Sequence, residues 1–165
     1  PDTARPDTMQ AGGLPQVAGA TAAARLQQYA EGALGLESVT RAGLQERFGP
    51  PDSAHSKPTP NRHIPGQTDS IVTVYYPGLA VELYRTDPGT EFVQRADVST
   101  DRWLHFGPGI GAPAAVMTGA LGEPSEQTDS TLVFRCTACS PVNEPITFFL
   151  ADGRVHRVRF AYYVD

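Results

Sequence analysis

The sequence predicts an α+β domain built from a duplicated unit, a short helix followed by a meander of three antiparallel strands. Three observations predict it. TRAGLQERFGPP (40–51) and PAAVMTGALGEP (113–124) align without a gap, matching Leu44 to Met117, Phe48 to Leu121, Gly49 to Gly122 and Pro51 to Pro124. Each stretch is followed by three apolar runs of strand length. The runs are joined by tight-turn signals, Pro77-Gly78, Asp87-Pro88-Gly89 and Asp152-Gly153, the last a strong type I′ hairpin signature. The offset between the copies, 73 residues from Leu44 to Met117, is too long for a solenoid repeat. Duplication inside one compact domain is therefore expected.

Composition sets the outer bounds. A chain of 165 residues with 40% apolar content can bury a core of its own as one domain. Net charge is -5, and the basic residues are scattered, so neither nucleic acid nor an anionic membrane has an electrostatic footprint here. Partners should be other proteins or small molecules. One lysine, Lys57, stands against twelve arginines, a bias that reads as a GC-rich bacterial source. No apolar run approaches the roughly 18 residues of a membrane helix. The chain starts at Pro1 without a methionine, which reads as a trimmed start.

The elements follow in order. Residues 1–16 mix Pro, Gly, Asp and Thr with almost nothing to bury, and read as a disordered leader or tether ahead of a single domain over 17–165. Ala22, Leu26, Tyr29, Ala30 and Ala33 recur at spacings of three and four, predicting a helix over 17–32 that Gly32 and Gly35 close. The first repeat then spans about 36–100. Its helix ends at Gly49, a left-handed C-cap, with Pro51 blocking continuation. Residues 50–70 carry no apolar periodicity and read as a long loop, either a binding element or an inert insertion. Strands follow at 71–76, 79–85 and 91–98. The second repeat, about 101–165, opens with DRWLHFGPG, whose Trp103 is expected to pack the crossing against the core. Its helix ends at Gly122, and its strands fall at 131–136, 146–151 and 154–164. In that last strand strict alternation sends His156, Val158, Phe160 and Tyr162 to the core, and Val155, Arg157, Arg159, Ala161 and Tyr163 to the other face.

The only cysteines, Cys136 and Cys139, stand in CTACSP. A redox centre needs its first cysteine at a helix N-terminus, and Pro141 with flanking strands argues against a helix there. A zinc site needs four ligands, and no second cysteine pair exists. A structural disulfide is the favoured reading over redox, metal or free-thiol roles. So short a loop gains little chain entropy from closure. The sequence holds no Gly-x-Ser-x-Gly elbow, no His-Glu-x-x-His and no phosphate loop. No catalytic residue, metal ligand or cofactor is assigned, and the chain is read as a non-enzyme.

The helix-and-stop unit in two copies resembles the tandem-repeat fold of the beta-lactamase inhibitor proteins and the related SmpA/OmlA family of small outer-membrane lipoproteins. Their pattern runs Gly-x-Ser/Thr-x-x-x-Val/Leu-x-x-x-Leu-Gly-x-Pro. The first copy supplies Thr40, Leu44, Phe48, Gly49 and Pro51; the second supplies Gly109 or Gly111, Met117, Leu121, Gly122 and Pro124. Pro113 departs from it where a capping Ser or Thr is expected, and Gly43 inside the first helix costs about 1 kcal/mol relative to Ala. The resemblance implies one antiparallel sheet with helices on one face and a broad concave face left open for a protein partner. It further implies a protein of the bacterial periplasm or outer membrane, or a secreted one. Two roles follow: inhibition of a hydrolase or toxin, or envelope assembly by a lipoprotein anchored through a cysteine upstream of Pro1. On either reading the residues expected to meet the partner are Arg62 and His63 in the long loop, Tyr76 and Tyr84 in the first meander, and Arg157, Arg159 and Tyr163 in the last strand. Tyr and Arg are the types that carry interface energy.

Overall fold

The computed structural model describes residues 21–36, 38–139 and 144–162. They form one eight-stranded antiparallel sheet with three α-helices, in the strand order β1-β2-β3-β4-β8-β7-β6-β5. The helices are α1 (Ala22–Gly32), α2 (Arg41–Phe48) and α3 (Ala114–Leu121). The strands are β1 (Ser53–Pro60), β2 (Thr68–Tyr76), β3 (Leu79–Arg85), β4 (Glu91–Val98), β5 (Glu126–Gln127), β6 (Thr131–Arg135), β7 (Pro145–Ala151) and β8 (Arg154–Ala161). The α+β class is therefore as expected. Each half holds four strands, however, not three.

The added strands explain themselves physically. The expected loop over 50–70 is largely β1, a polar edge strand, followed by a turn over 61–67. Asn61 N donates to Gln67 O at 2.9 Å, which continues the β1–β2 register and turns the backbone groups of the odd-numbered residues toward β2. Pro58 and Pro60 therefore sit at outward positions, where a missing N–H removes a donor from the exposed edge and discourages pairing with another chain. At the far edge β5 spans two residues only.

Local chemistry sets the helix ends. Thr21 caps α1, accepting from Ala24 N at 3.1 Å, so the described helix begins at Ala22; the leader over 1–16 and the expected first turn from 17 lie outside the described residues. Thr40 caps α2, accepting from Gly43 N at 3.2 Å. Pro113 cannot cap α3 with a side chain, and the tip of the β7–β8 hairpin substitutes: Ala114 N donates to Gly153 O at 3.0 Å. Gly49 and Gly122 end their helices with φ of 81° and 90°, as the stop signals predict. Asp152 and Gly153 both have positive φ, 51° and 72°, in the predicted hairpin turn.

The core lies between the helices and one face of the sheet. Tyr29 of α1 meets Phe148 and Phe160 at ring separations of 5.9 and 6.0 Å. Phe48 of α2 meets Tyr76 and Trp103 edge-on at 5.7 and 5.1 Å, and Trp103 Nε1 donates to Pro77 O at 2.7 Å, pinning the crossing between the halves. Met117 and Leu121 of α3 join the same buried cluster. Tyr76, expected at the open face, belongs here: it is 6% exposed and its hydroxyl donates to Gly49 O at 3.1 Å. It shares the inward parity of Val72 and Val74.

Two register breaks correct the alternation argument. The β3–β4 pairing shifts between Glu82 and Leu83, leaving Gln94 unpaired; the β7–β8 pairing shifts between Phe149 and Leu150, leaving His156 unpaired. The second bulge brings Val155 into the core at 2% exposure and turns His156 out to solvent, the reverse of strict alternation.

Candidate protein-binding face

The helices occupy one side of the sheet, and among the described residues no helix packs against the other. Register places the side chains of that open face in cross-strand rows. Lys57, Ile71, Tyr84 and Phe92 line up over β1 to β4. The next row carries His55, Thr73, Glu82 and Arg95. A third runs from Tyr75 through Ala80, Asp97, Arg159 and Thr147 to Val133. Arg157 and Phe149 stand opposite one another beyond it. Two aromatics protrude, Tyr75 at 40% and Phe92 at 41% exposure. His55 meets the Tyr75 ring edge-on at 5.7 Å.

Ion pairs organise the middle of the face. Arg95 Nη2 lies 2.7 Å from Glu82 Oε2, and Gln94 donates to the other oxygen of Glu82. Arg159 grips Asp97 with both Nε and Nη2, at 2.8 and 3.2 Å. Such two-point geometry fixes a guanidinium more firmly than a single contact does. The guanidinium carbon of Arg157 stands over the Phe149 ring, 3.9 Å from its centroid.

At the β1–β2 end a polar clamp holds the turn to the sheet. Asp69 is 1% exposed and accepts from Asn61 Nδ2 at 2.6 Å, Gln67 Nε2 at 2.8 Å and Asp87 N at 2.9 Å, as well as from the Tyr84 hydroxyl. These donors, Gln67 first and then Tyr84, hold the carboxyl down at about 2. The bond to Asp69 raises Tyr84 in turn, while the charge of Arg62 pulls it the opposite way.

The residues expected at the interface thus divide. Tyr84, Arg157 and Arg159 share the open face, and Arg62 and His63 are exposed on the turn over 61–67 that the clamp ties to it. Tyr76 is in the core, and Tyr163 lies outside the described residues. Sequence reasoning missed Tyr75, Phe92, Arg95 and Phe149. The first was within reach: in IVTVYY the apolar Val72 and Val74 share parity with Tyr76, which leaves Tyr75 outward.

Cys136 and Cys139 are joined as a disulfide, S–S 1.99 Å, in the turn after β6. Beside it a crevice of about 200 Å³ lies on the helix side, between the start of α1, the end of α3 and Arg135 to Ala138. Among the described residues no three or more His, Cys, Asp or Glu side chains gather where a metal ion could be held, and no helix is long and apolar enough to cross a membrane. Comparison of the chain with protein-family models, curated proteins and solved structures finds no match.

Proposed function

We propose that this chain is a non-enzymatic protein-binding protein of the bacterial envelope or the secreted space, whose open sheet face grips another protein and by doing so inhibits a hydrolase or toxin. The observation that carries the reading is the face itself: a sheet surface that no helix covers among the described residues and that displays Tyr75, Phe92 and Tyr84 among fixed arginines. Aromatic and Arg side chains on a rigid platform lose little conformational freedom on binding and bury large areas. The disulfide fits an oxidising compartment.

The duplication belongs to the same reading. The strand order reads outward identically from its centre, β4 and β8 pair there through Asp97 opposite Arg159, and each half breaks register immediately beyond an equivalent pair, Glu82 with Arg95 and Phe149 with Arg157. That correspondence supports two repeats related by a local two-fold axis, and with it the resemblance to the tandem-repeat inhibitor and lipoprotein fold. An envelope-assembly lipoprotein is the second reading of the same surface, and a lipid-attachment cysteine in the precursor would favour it.

The test is site-specific photocrosslinking in an envelope extract of the native source. A photoreactive residue at Tyr75 or Phe92 is expected to capture one and the same protein, and one at Val116, exposed on α3 at 48%, is expected to capture none. Capture from position 116 with silence from 75 and 92 would place the interface on the helices and end the proposal.

A further inference from the structure

We infer that Arg157, laid on Phe149, is a docking point for a carboxylate, so that the partner presents an aspartate or glutamate side chain to the β7–β8 side of the open face. The inference deepens the proposed function and rests on the open face being the binding surface.

Among the described residues Arg157 is the arginine of this face that has no acidic partner. Arg95 has Glu82 at 2.7 Å, Arg159 has Asp97 at 2.8 Å, and Arg135 has Glu126 at 3.9 Å. Among the described residues no carboxylate stands within ion-pair distance of Arg157. Its Nε is shut away from water and finds no hydrogen-bond acceptor. An arginine stacked on a ring with no carboxylate beside it calls for a reason. Composition supplies none, since the chain carries 18 acidic residues against 13 basic ones.

The geometry at Arg157 is that of a prepared receptor. The guanidinium carbon stands over the Phe149 ring, whereas a carboxylate approaches through the terminal Nη–H donors, Nε being shut away, so the two interactions do not compete. The ring also holds the guanidinium in place before a partner arrives, which reduces the ordering cost of binding. A single carboxylate suits the site better than a polyanion, because Asp97 lies in the neighbouring row and would repel a larger negative charge.

The test follows the arginine Nε–H resonances of the labelled protein by NMR against two short peptides, acetylated at the N-terminus and amidated at the C-terminus, Gly-Glu-Trp-Gly and its counterpart Gly-Gln-Trp-Gly. The Glu peptide is expected to shift Arg157 saturably and the Phe149 ring with it, the Gln peptide to bind about tenfold more weakly, the size of one charged hydrogen bond. Arg157→Gln should erase that preference, and Phe149→Leu should weaken the Glu peptide with Arg157 still present. Equal binding of both peptides around Tyr75 and Phe92 would overturn the carboxylate site while leaving the face as a binding surface. Shifts confined to α1–α3 would overturn both. Inorganic phosphate moving Arg157 as strongly as the Glu peptide would replace a protein carboxylate by a phosphate ligand and also sink the inference.

Discussion

Arg95 and Arg157 occupy matching places, each one residue past a bulge and each facing a residue on the neighbouring strand. Arg95 faces Glu82 and is neutralised; Arg157 faces Phe149 and is not. In the first half the arginine is paired and the turn is clamped through Asp69. The second half keeps a charge in hand. The two halves of the sheet thus keep the same register at this point while one difference, ring for carboxylate, leaves one arginine paired and the other not.

The largest effect expected concerns what lies beneath the two halves. Behind Phe149 the core residue is Phe148, completely buried against Tyr29 and Phe134; behind Glu82 the core residue is Val81, also completely buried but far smaller. Phe148→Ala should destabilise the fold by about 3–5 kcal/mol, the usual cost of emptying an aromatic site in a core. Val81→Ala removes fewer atoms and should cost clearly less. Urea denaturation compares them, and equal losses would mean that the core is not weighted toward the aromatic half.

Next comes the clamp that has no counterpart at Phe149. The Asp69 carboxyl is held at about 2 against an ordinary 3.8, by its bonds from Gln67 and Tyr84 foremost. A depressed folded value means that the stabilisation is fully present above the ordinary value and is lost as pH falls toward 2. Thermal midpoints should therefore drop between pH 4 and 2, roughly the interval the two values bracket, and Asp69→Asn should flatten that limb. An unchanged acid limb in the variant would move the acid sensitivity elsewhere.

How much of this was legible depended on whether neighbouring residues carry the information. Helix stops at Gly49 and Gly122 and the Asp152-Gly153 turn are set by local backbone preference, and the sequence names them directly. The strand β1 is not, because an edge strand guarded by Pro58 and Pro60 has nothing to bury and so shows no apolar period. The bulge at His156 is equally silent: it arises from pairing with β7, and it alone decides that Val155 enters the core. Arg157 and Arg159 could be placed together on one face because both lie beyond the bulge, where alternation resumes. Phe149 could not be assigned, since Phe148 and Phe149 are equally apolar and only register separates core from face. The replacement of a Glu82-like partner by Phe149 is visible only once the two pairings are laid side by side.

The smallest expected effect is the most direct probe of the comparison itself. Double-mutant cycles on stability would measure Glu82 with Arg95 and Phe149 with Arg157 in the same protein. Arg95 retains 41% and Glu82 18% of side-chain exposure, so this pair should couple by about 0.5–1 kcal/mol and weaken as salt screens it. The stacked pair should couple by a similar about 0.5–1 kcal/mol, since cation–π contacts near a surface are worth no more. The two should differ in what the single changes do. Glu82→Gln leaves Arg95 only the longer contact to Asp97, at 3.9 Å, and should destabilise, whereas Phe149→Glu gives Arg157 the carboxylate that Arg95 already has and should be close to neutral in stability. The same Phe149→Glu change should abolish the preference of Arg157 for an acidic peptide, because the site would then be filled from within. A protein that keeps that preference after Phe149→Glu would show that the two arginines differ for some reason other than the residue each one faces.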